Sequence, residues 1–183
     1  MTNNIALWYM ARATGMVALL LLTVSVVLGV LGPLRVSTPN WPRFALALLH
    51  RNLTLVTLAF LVVHIGSSVV DSYAGIGWFD AIIPFASVYR PLWLGLGAIA
   101  FDLIIALIVT SLLRPRINQR FWRALHWLAY VCWPFALLHG LGTGTDARHG
   151  WTLLLTLGCV GAVGIAWFIR LVRADSTTLG RVS

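Results

Sequence analysis

Five long apolar runs most constrain the fold of this chain. A helix of roughly 20 residues crosses a hydrocarbon core of about 30 Å, and the lipid core admits only backbones that satisfy their own hydrogen bonds. The runs therefore predict an all-α integral membrane bundle of five transmembrane helices, which forms a single domain over residues 1–183. The predicted spans are Ala13–Leu34, Phe44–Val70, Pro91–Leu113, Ala124–Thr145 and Gly150–Phe168.

Composition and charge agree with a membrane protein. Hydrophobic residues make up 60% of the chain and charged residues only 10%, against about a quarter in soluble domains. The net charge of +8 results from thirteen arginines and five acidic residues, and ten of the arginines fall on one side of the predicted spans. By the positive-inside rule, that side is cytoplasmic, so we expect a plasma-membrane protein with its N-terminus outside and its C-terminus inside. The distribution of arginines thus indicates membrane topology and not binding to a nucleic acid, and the expected partner of the chain is the lipid bilayer.

Two of the predicted spans carry a pair of histidines each. "LLHRNLTLVTLAFLVVHIG" (residues 48–66) contains His50 and His64, and "ALHWLAYVCWPFALLHG" (residues 124–140) contains His126 and His139. Fourteen helical residues correspond to about 21 Å, and both spans run in the same direction through the bilayer. We therefore expect His50 and His126 at the cytoplasmic level, and His64 and His139 at the outer level.

Two imidazoles that face each other at one depth suit the axial positions of a haem iron, because neutral imidazole is a good iron ligand. Two such levels predict two b-type haems, one bound by His50 and His126 and the other by His64 and His139. Thirteen residues of ideal helix, however, turn His139 by about 140° away from His126. Pro134 lies between them and is able to kink or rewind the span. Without such a change, the two haems would lie on different sides of the fourth span.

Three other interpretations of the histidines stay open. In the first, the four histidines have no shared function and simply pack between helices. In the second case a zinc ion lies in the outer loop, where His149 and Asp146 would join His139. In the third case the chain is a non-redox membrane subunit or a small transporter that relays protons through the histidines.

The histidine spacing and two further stretches resemble a known family. "YRPLWLGLGAIAFDLIIALIVTSLLRPRI" and "FWRALHWLAYVCWPFALLHGLGTGTD" are similar to the ferric-reductase-like transmembrane domain over roughly residues 14–170. NADPH oxidases, eukaryotic ferric reductases and the membrane subunit of a bacterial methionine-sulfoxide reductase system share this domain. The resemblance implies that the four histidines are the haem ligands of an oxidoreductase component.

The resemblance also implies a direction and partners for electron transfer. No stretch resembles a flavin or nicotinamide site, so electrons are expected from a separate reductase or from quinol. The outer-side acceptor is then a ferric chelate, oxygen, a quinone or a partner protein. Family members usually have six helices, whereas this chain has five predicted spans.

A few other residues are candidates for supporting roles. Haem propionates favour arginines, which makes Arg51 and Arg123 candidates at the inner level, and Arg90 and Arg148 at the outer level. Trp133 lies seven residues after His126, where it would either form an aromatic bridge between the haems or face the lipid or the core of the bundle. Asp102, the acidic residue within a span, either handles protons or pairs with a polar neighbour.

Overall fold

The computed structural model describes residues 2–32, 43–72, 75–144 and 149–179 of the chain. These residues form helices joined by short connectors, and none of them forms a strand. Two short 3-10 turns, Trp78–Ala81 and Arg114–Arg116, lie in the connectors before and after the third helix. The helices are α1 (Thr2–Leu31), α2 (Arg43–Val70), α3 (Pro91–Leu112), α4 (Gln119–His126), α5 (Ala129–Thr143) and α6 (Gly150–Leu179).

Five segments of the described chain are long and apolar enough to cross a membrane, which confirms the predicted fold class. They comprise α1, α2, α3, the α4–α5 unit from Gln119 to Thr143, and α6. Three helices extend beyond the apolar runs. α1 begins at Thr2 instead of Ala13, α4 begins at Gln119, and α6 continues to Leu179. Hydropathy reports the part of a helix inside lipid, whereas backbone hydrogen bonding continues into the polar surroundings.

The outer surface of the bundle is apolar. Large aliphatic side chains along the helices are exposed, for example Leu20, Val62, Leu154 and Ile165. A water-soluble protein rarely exposes apolar surface on this scale, but a lipid environment requires it. The chain is therefore a multi-pass membrane protein.

The helices pack as two antiparallel pairs. α1 packs along α2, and α3 packs along α5, while α6 covers α1. One apolar cluster joins α1, α5 and α6 around Val30, Trp133 and Val163, and a second joins α3 and α5 around Ile104 and Cys132. α2 makes few close backbone contacts with α5. The histidine side chains of α2 and of the α4–α5 unit face each other across the space between them.

The fourth span is rewound between its two histidines. α4 ends at His126 and α5 begins at Ala129, with a turn at Trp127 and Leu128 between them. Three backbone bonds here join residues three apart: Leu128 N to Leu125 O, Tyr130 N to Trp127 O, and Val131 N to Leu128 O. Each residue of a 3-10 turn rotates the chain by about 120° instead of 100°. The turn therefore reduces the angle between His126 and His139, and it does so ahead of Pro134.

Candidate haem-binding centre

The structure brings the four histidines together as two facing pairs. The ring centres of His50 and His126 lie 6.3 Å apart with an interplanar angle of 69°, and those of His64 and His139 lie 6.2 Å apart at 87°. Two imidazoles that bind one metal from opposite sides, with metal–nitrogen distances of about 2 Å, hold their ring centres roughly 6 Å apart. Both pairs therefore have the spacing that an iron between them requires.

The rings of His64 and His139 are held by backbone carbonyls of the neighbouring helices. His64 Nδ1 lies 2.6 Å from the carbonyl oxygen of Ala11 in α1, and His139 Nδ1 lies 2.8 Å from that of Trp93 in α3. A carbonyl oxygen only accepts hydrogen bonds, so each Nδ1 carries the proton and donates it. The lone pair then resides on Nε2. This is the arrangement in which a protein histidine binds a metal through Nε2 while its other nitrogen is fixed by an acceptor.

His50 has the same arrangement with a serine. Its Nδ1 lies 3.1 Å from the carbonyl oxygen of Ser25 and 3.2 Å from the Ser25 hydroxyl. The Ser25 hydroxyl is 3.2 Å from that of Thr54, which donates to the His50 carbonyl at 2.9 Å. The ring of His50 is thus fixed from α1 and from its own helix. No hydrogen bond to its Nε2 is found within the part of the chain that the structure describes.

His126 is positioned differently. Its ring stacks on Trp122 with ring centres 4.8 Å apart and an interplanar angle of 22°. Its Nδ1 is buried and has no hydrogen-bond partner among the described residues. Aromatic stacking, and not a carbonyl, therefore sets the orientation of this ring.

Two glycines make room for the rings of His64 and His139. A methyl group placed at Gly97 would lie 2.5 Å from Nδ1 of His139, and one at Gly15 would lie 2.9 Å from Nδ1 of His64. Carbon atoms do not approach a ring this closely, so any side chain here would displace the histidine. Gly29 faces His50 less tightly, since its added methyl group would lie 3.9 Å from Cε1.

A cavity adjoins each histidine pair. The larger one has a volume of about 300 Å³, and His64, His139, Gly15 and Gly97 all line it. This volume is at the lower end of the range for sites that hold organic ligands, about 300–1,000 Å³. The second cavity, of about 150 Å³, is lined by His126 together with residues of α1, α4, α5 and α6. The paired imidazoles, their carbonyl-bound Nδ1 atoms and the larger cavity fit a haem at the His64–His139 level, while the smaller cavity adjoins His126 alone of the His50–His126 pair.

Comparison with known protein families gives a match for the chain. Residues 14–137 match the family model described as ferric reductase like transmembrane component. The chain belongs to this family. The match includes His50, His64 and His126 and ends two residues before His139. No curated protein and no solved structure gave a significant match.

Membership in the ferric-reductase-like family confirms the resemblance seen in the sequence. It identifies the chain in general terms as a membrane component for electron transfer, in a family whose transmembrane domains generally bind haem. The haem-binding roles of the four histidines stay predictions that rest on the geometry above.

The four predicted arginine contacts lie in different surroundings. Arg123 lines the cavity next to His126, while Arg51 is exposed on α2 beside His50. Arg90 donates from Nη1 to the carbonyl oxygens of Gly142 at 2.6 Å and Thr143 at 3.3 Å, so it closes the end of α5. Arg148 lies outside the described residues. Roles in binding propionates stay predictions for all four.

Two further arginines line the cavities but were not among the predicted contacts. Arg170 lines the cavity next to His126, and its Nη1 lies 3.3 Å from the Tyr130 hydroxyl. Arg12 lines the larger cavity, with its guanidinium over the Trp8 ring at 5.4 Å. The sequence does contain a signal for both, since each lies at the end of an apolar run on the same side as the histidine that it adjoins.

Trp133 belongs to the apolar cluster of α1, α5 and α6. It is buried, and its Nε1 donates to the Thr23 hydroxyl at 2.9 Å. The Thr23 hydroxyl in turn donates to the Leu19 carbonyl at 2.7 Å. Trp133 thus fixes α5 to α1 at mid-bundle and lines neither of the two cavities. The role of this tryptophan as a bridge between haems stays a prediction.

The remaining ionisable candidates, Asp102 and His149, do not form a further metal site within the described residues. Asp102 is partly buried in α3, and His149 is exposed just before α6. Among the described residues, no group of three or more histidine, cysteine or acidic side chains is arranged to hold a metal ion. The zinc interpretation also needs Asp146, which lies outside those residues. A haem iron takes only two ligands from the protein, so the absence of a larger group of ligands in the described part of the chain does not bear on the histidine pairs.

Proposed function

We propose that this chain is a membrane cytochrome b with two haems, which carries electrons across the bilayer. One observation supports this most strongly: four histidines form two facing pairs, each with ring centres 6.2–6.3 Å apart. The two levels are fourteen residues apart along α2, about 21 Å. This separation allows one pair to serve each side of the membrane.

In this proposal the residues of the chain hold and orient the cofactors. A bound haem supplies one-electron oxidation and reduction at its iron. The acceptors at Ala11, Trp93 and Ser25 fix three of the rings and keep their Nε2 lone pairs available. They also make these imidazoles stronger electron donors, because a proton shared with an acceptor increases the basicity of the ring.

The proposed direction is outward from the cytoplasm. The connector between α3 and α4 carries arginines and lies at the end of the bundle that holds His50 and His126. By the positive-inside rule this end is cytoplasmic, and the His64–His139 end is outside in the plasma membrane. Electrons would enter from a separate reductase or from quinol. They would leave to a ferric chelate, oxygen, a quinone or a partner protein. The arginines at this end are Arg114 and Arg116 in the connector, and Arg120 and Arg123 in α4.

Electron transfer through sealed vesicles tests the proposal. Purified protein is reconstituted into liposomes that contain trapped ferricyanide, and dithionite is added outside. We expect rapid reduction of the trapped ferricyanide with the wild-type chain. With His139→Ala we expect the rate to fall to that of protein-free vesicles, because one of the two levels no longer transfers electrons.

Gly158→Ala is the matched control for this experiment. Gly158 lies exposed in α6, and an added methyl group would meet no atom within 4 Å. This variant should transfer electrons at the wild-type rate. If His139→Ala vesicles reduced ferricyanide as fast as the wild type, transfer through both levels would be refuted.

A further inference from the structure

A cation and two aromatic rings form a continuous stack next to the His50–His126 pair. The guanidinium carbon of Arg114 lies 4.4 Å from the ring centre of Trp122. Trp122 stacks in turn on His126 at 4.8 Å. Both distances are measured to the Trp122 ring, so the Arg114 charge lies within about 10 Å of the His126 ring. We call Arg114, Trp122 and His126 the cationic stack.

The stack is formed by the turn that links α3 to α4. Arg114 lies in the 3-10 turn Arg114–Arg116 directly after α3, and Trp122 lies in the first half of α4. Asn118 caps α4 by accepting a hydrogen bond from the backbone N–H of Arg120 at 2.8 Å. The cap fixes the start of α4, and with it the distance between Arg114 and Trp122. Attraction between a guanidinium and an indole face favours this arrangement.

The cationic stack distinguishes His126 from the other three histidines. Their Nδ1 atoms each lie within hydrogen-bond distance of a carbonyl oxygen, whereas that of His126 is buried without a partner among the described residues. The indole Nε1 of Trp122 is likewise buried without one in that part of the chain. His126 therefore lacks the acceptor that would strengthen it as an electron donor. It stacks instead on the tryptophan ring that the Arg114 guanidinium contacts.

We propose that Arg114, held in place by Trp122, raises the reduction potential at the His50–His126 level relative to a chain without this charge. A positive charge stabilises the state that has gained an electron. This inference rests on the proposed function, because it requires haem at that level. Trp122 acts as a positioning residue, since it fixes the charge at one distance and fixes the ring of His126.

Other charges near His126 do not share this geometry. Arg123 and Arg170 line the cavity next to His126. Arg170 lies over the rings of Trp127 and Trp167 instead of Trp122. Arg116 in the connector and Arg120 in α4 are exposed, and neither has a cation–π contact within the described chain. Arg116 carries the same charge, only two residues from Arg114. It is therefore the matched control for the loss of one positive charge from this surface.

The test compares Arg114→Gln with Arg116→Gln by spectroelectrochemistry of the purified protein with bound haem. At an electrode potential where the His50–His126 component of the wild type is half reduced, we expect its reduced-to-oxidised ratio to fall roughly threefold to tenfold in Arg114→Gln. A tenfold change corresponds to ~59 mV for one electron. Arg116→Gln should change the ratio much less, and the His64–His139 component should be unchanged in both variants.

Three further measurements separate charge from structure. Arg114→Lys retains the charge and should stay near the wild-type ratio. Trp122→Leu retains Arg114 but loses the stack, so its ratio should fall in the same direction as in Arg114→Gln. In the wild type, rising salt should lower the ratio of the His50–His126 component, because Arg114 is exposed and its charge is screened.

The outcomes also separate this inference from the proposed function. A wild-type chain without haem would refute the proposed function. An Arg114→Gln chain with both haems and an unchanged ratio would refute only the role of the cationic stack. If Arg114→Gln failed to bind haem, the wild-type salt response would decide, and a ratio that did not respond to salt would contradict the inference.

Discussion

Replacing His139 with alanine is expected to lower the haem content from two to one per chain. His64→Ala should remove the same haem, because the two rings face each other at 6.2 Å. His50→Ala and His126→Ala should each remove the other haem, since their rings form the second pair at 6.3 Å. Haem content per purified chain gives the number lost. Spectroelectrochemistry of each variant then identifies which redox component has disappeared.

His149→Ala is the control for these four variants. His149 is the fifth histidine of the chain, and it lies exposed outside both pairs. This variant should retain both haems and both redox components. The pairing would be wrong if His50→Ala and His139→Ala lost the same component.

Replacing Gly97 with alanine is expected to abolish haem binding at the His64–His139 level. The added methyl group would lie 2.5 Å from Nδ1 of His139 and 2.7 Å from its Cε1, so the ring has to move. The movement also breaks the hydrogen bond between His139 and the Trp93 carbonyl, which orients the ring. We expect one haem per chain in this variant, with the His50–His126 component unchanged.

A graded series of glycine variants provides the controls. Gly15→Ala places a methyl group 2.9 Å from the His64 ring and should weaken binding at the same level, but less completely than Gly97→Ala. Gly29→Ala places one 3.9 Å from the His50 ring, which is an ordinary contact, and should retain both haems. Two haems and an unaltered spectrum in Gly97→Ala would contradict the close approach of α3 to this ring.

The sequence alone predicts much of this fold because lipid leaves few alternatives. Apolar runs of about 20 residues have to be helices, and their number and order follow directly. The depth of each histidine follows from its position in a span. The ends of the helices do not, because α1 and α6 continue beyond the lipid core, where hydropathy carries no signal.

The details of the site depend on distances between helices, which a sequence does not contain. The acceptors for His64 and His139 are backbone carbonyls of Ala11 and Trp93, and any residue type provides a carbonyl. Gly97 lies in "GLGAIA", a pattern that by itself indicates no more than close helix packing. The turn at Trp127 and Leu128 is formed by backbone hydrogen bonds, and no residue type at these positions predicts it. The sequence thus predicts which histidines would bind haem, while the structure shows which groups orient their rings.

The visible spectrum of the purified protein tests the central claim most directly. The chain is expressed with an adequate supply of haem, purified in detergent and reduced with dithionite, and its haem content is measured against protein. We expect a low-spin b-type spectrum and about two haems per chain, because each of the two facing pairs would bind one iron. A folded chain that remains colourless under these conditions would contradict the account. The four histidines would then serve a non-redox role, such as the relay of protons.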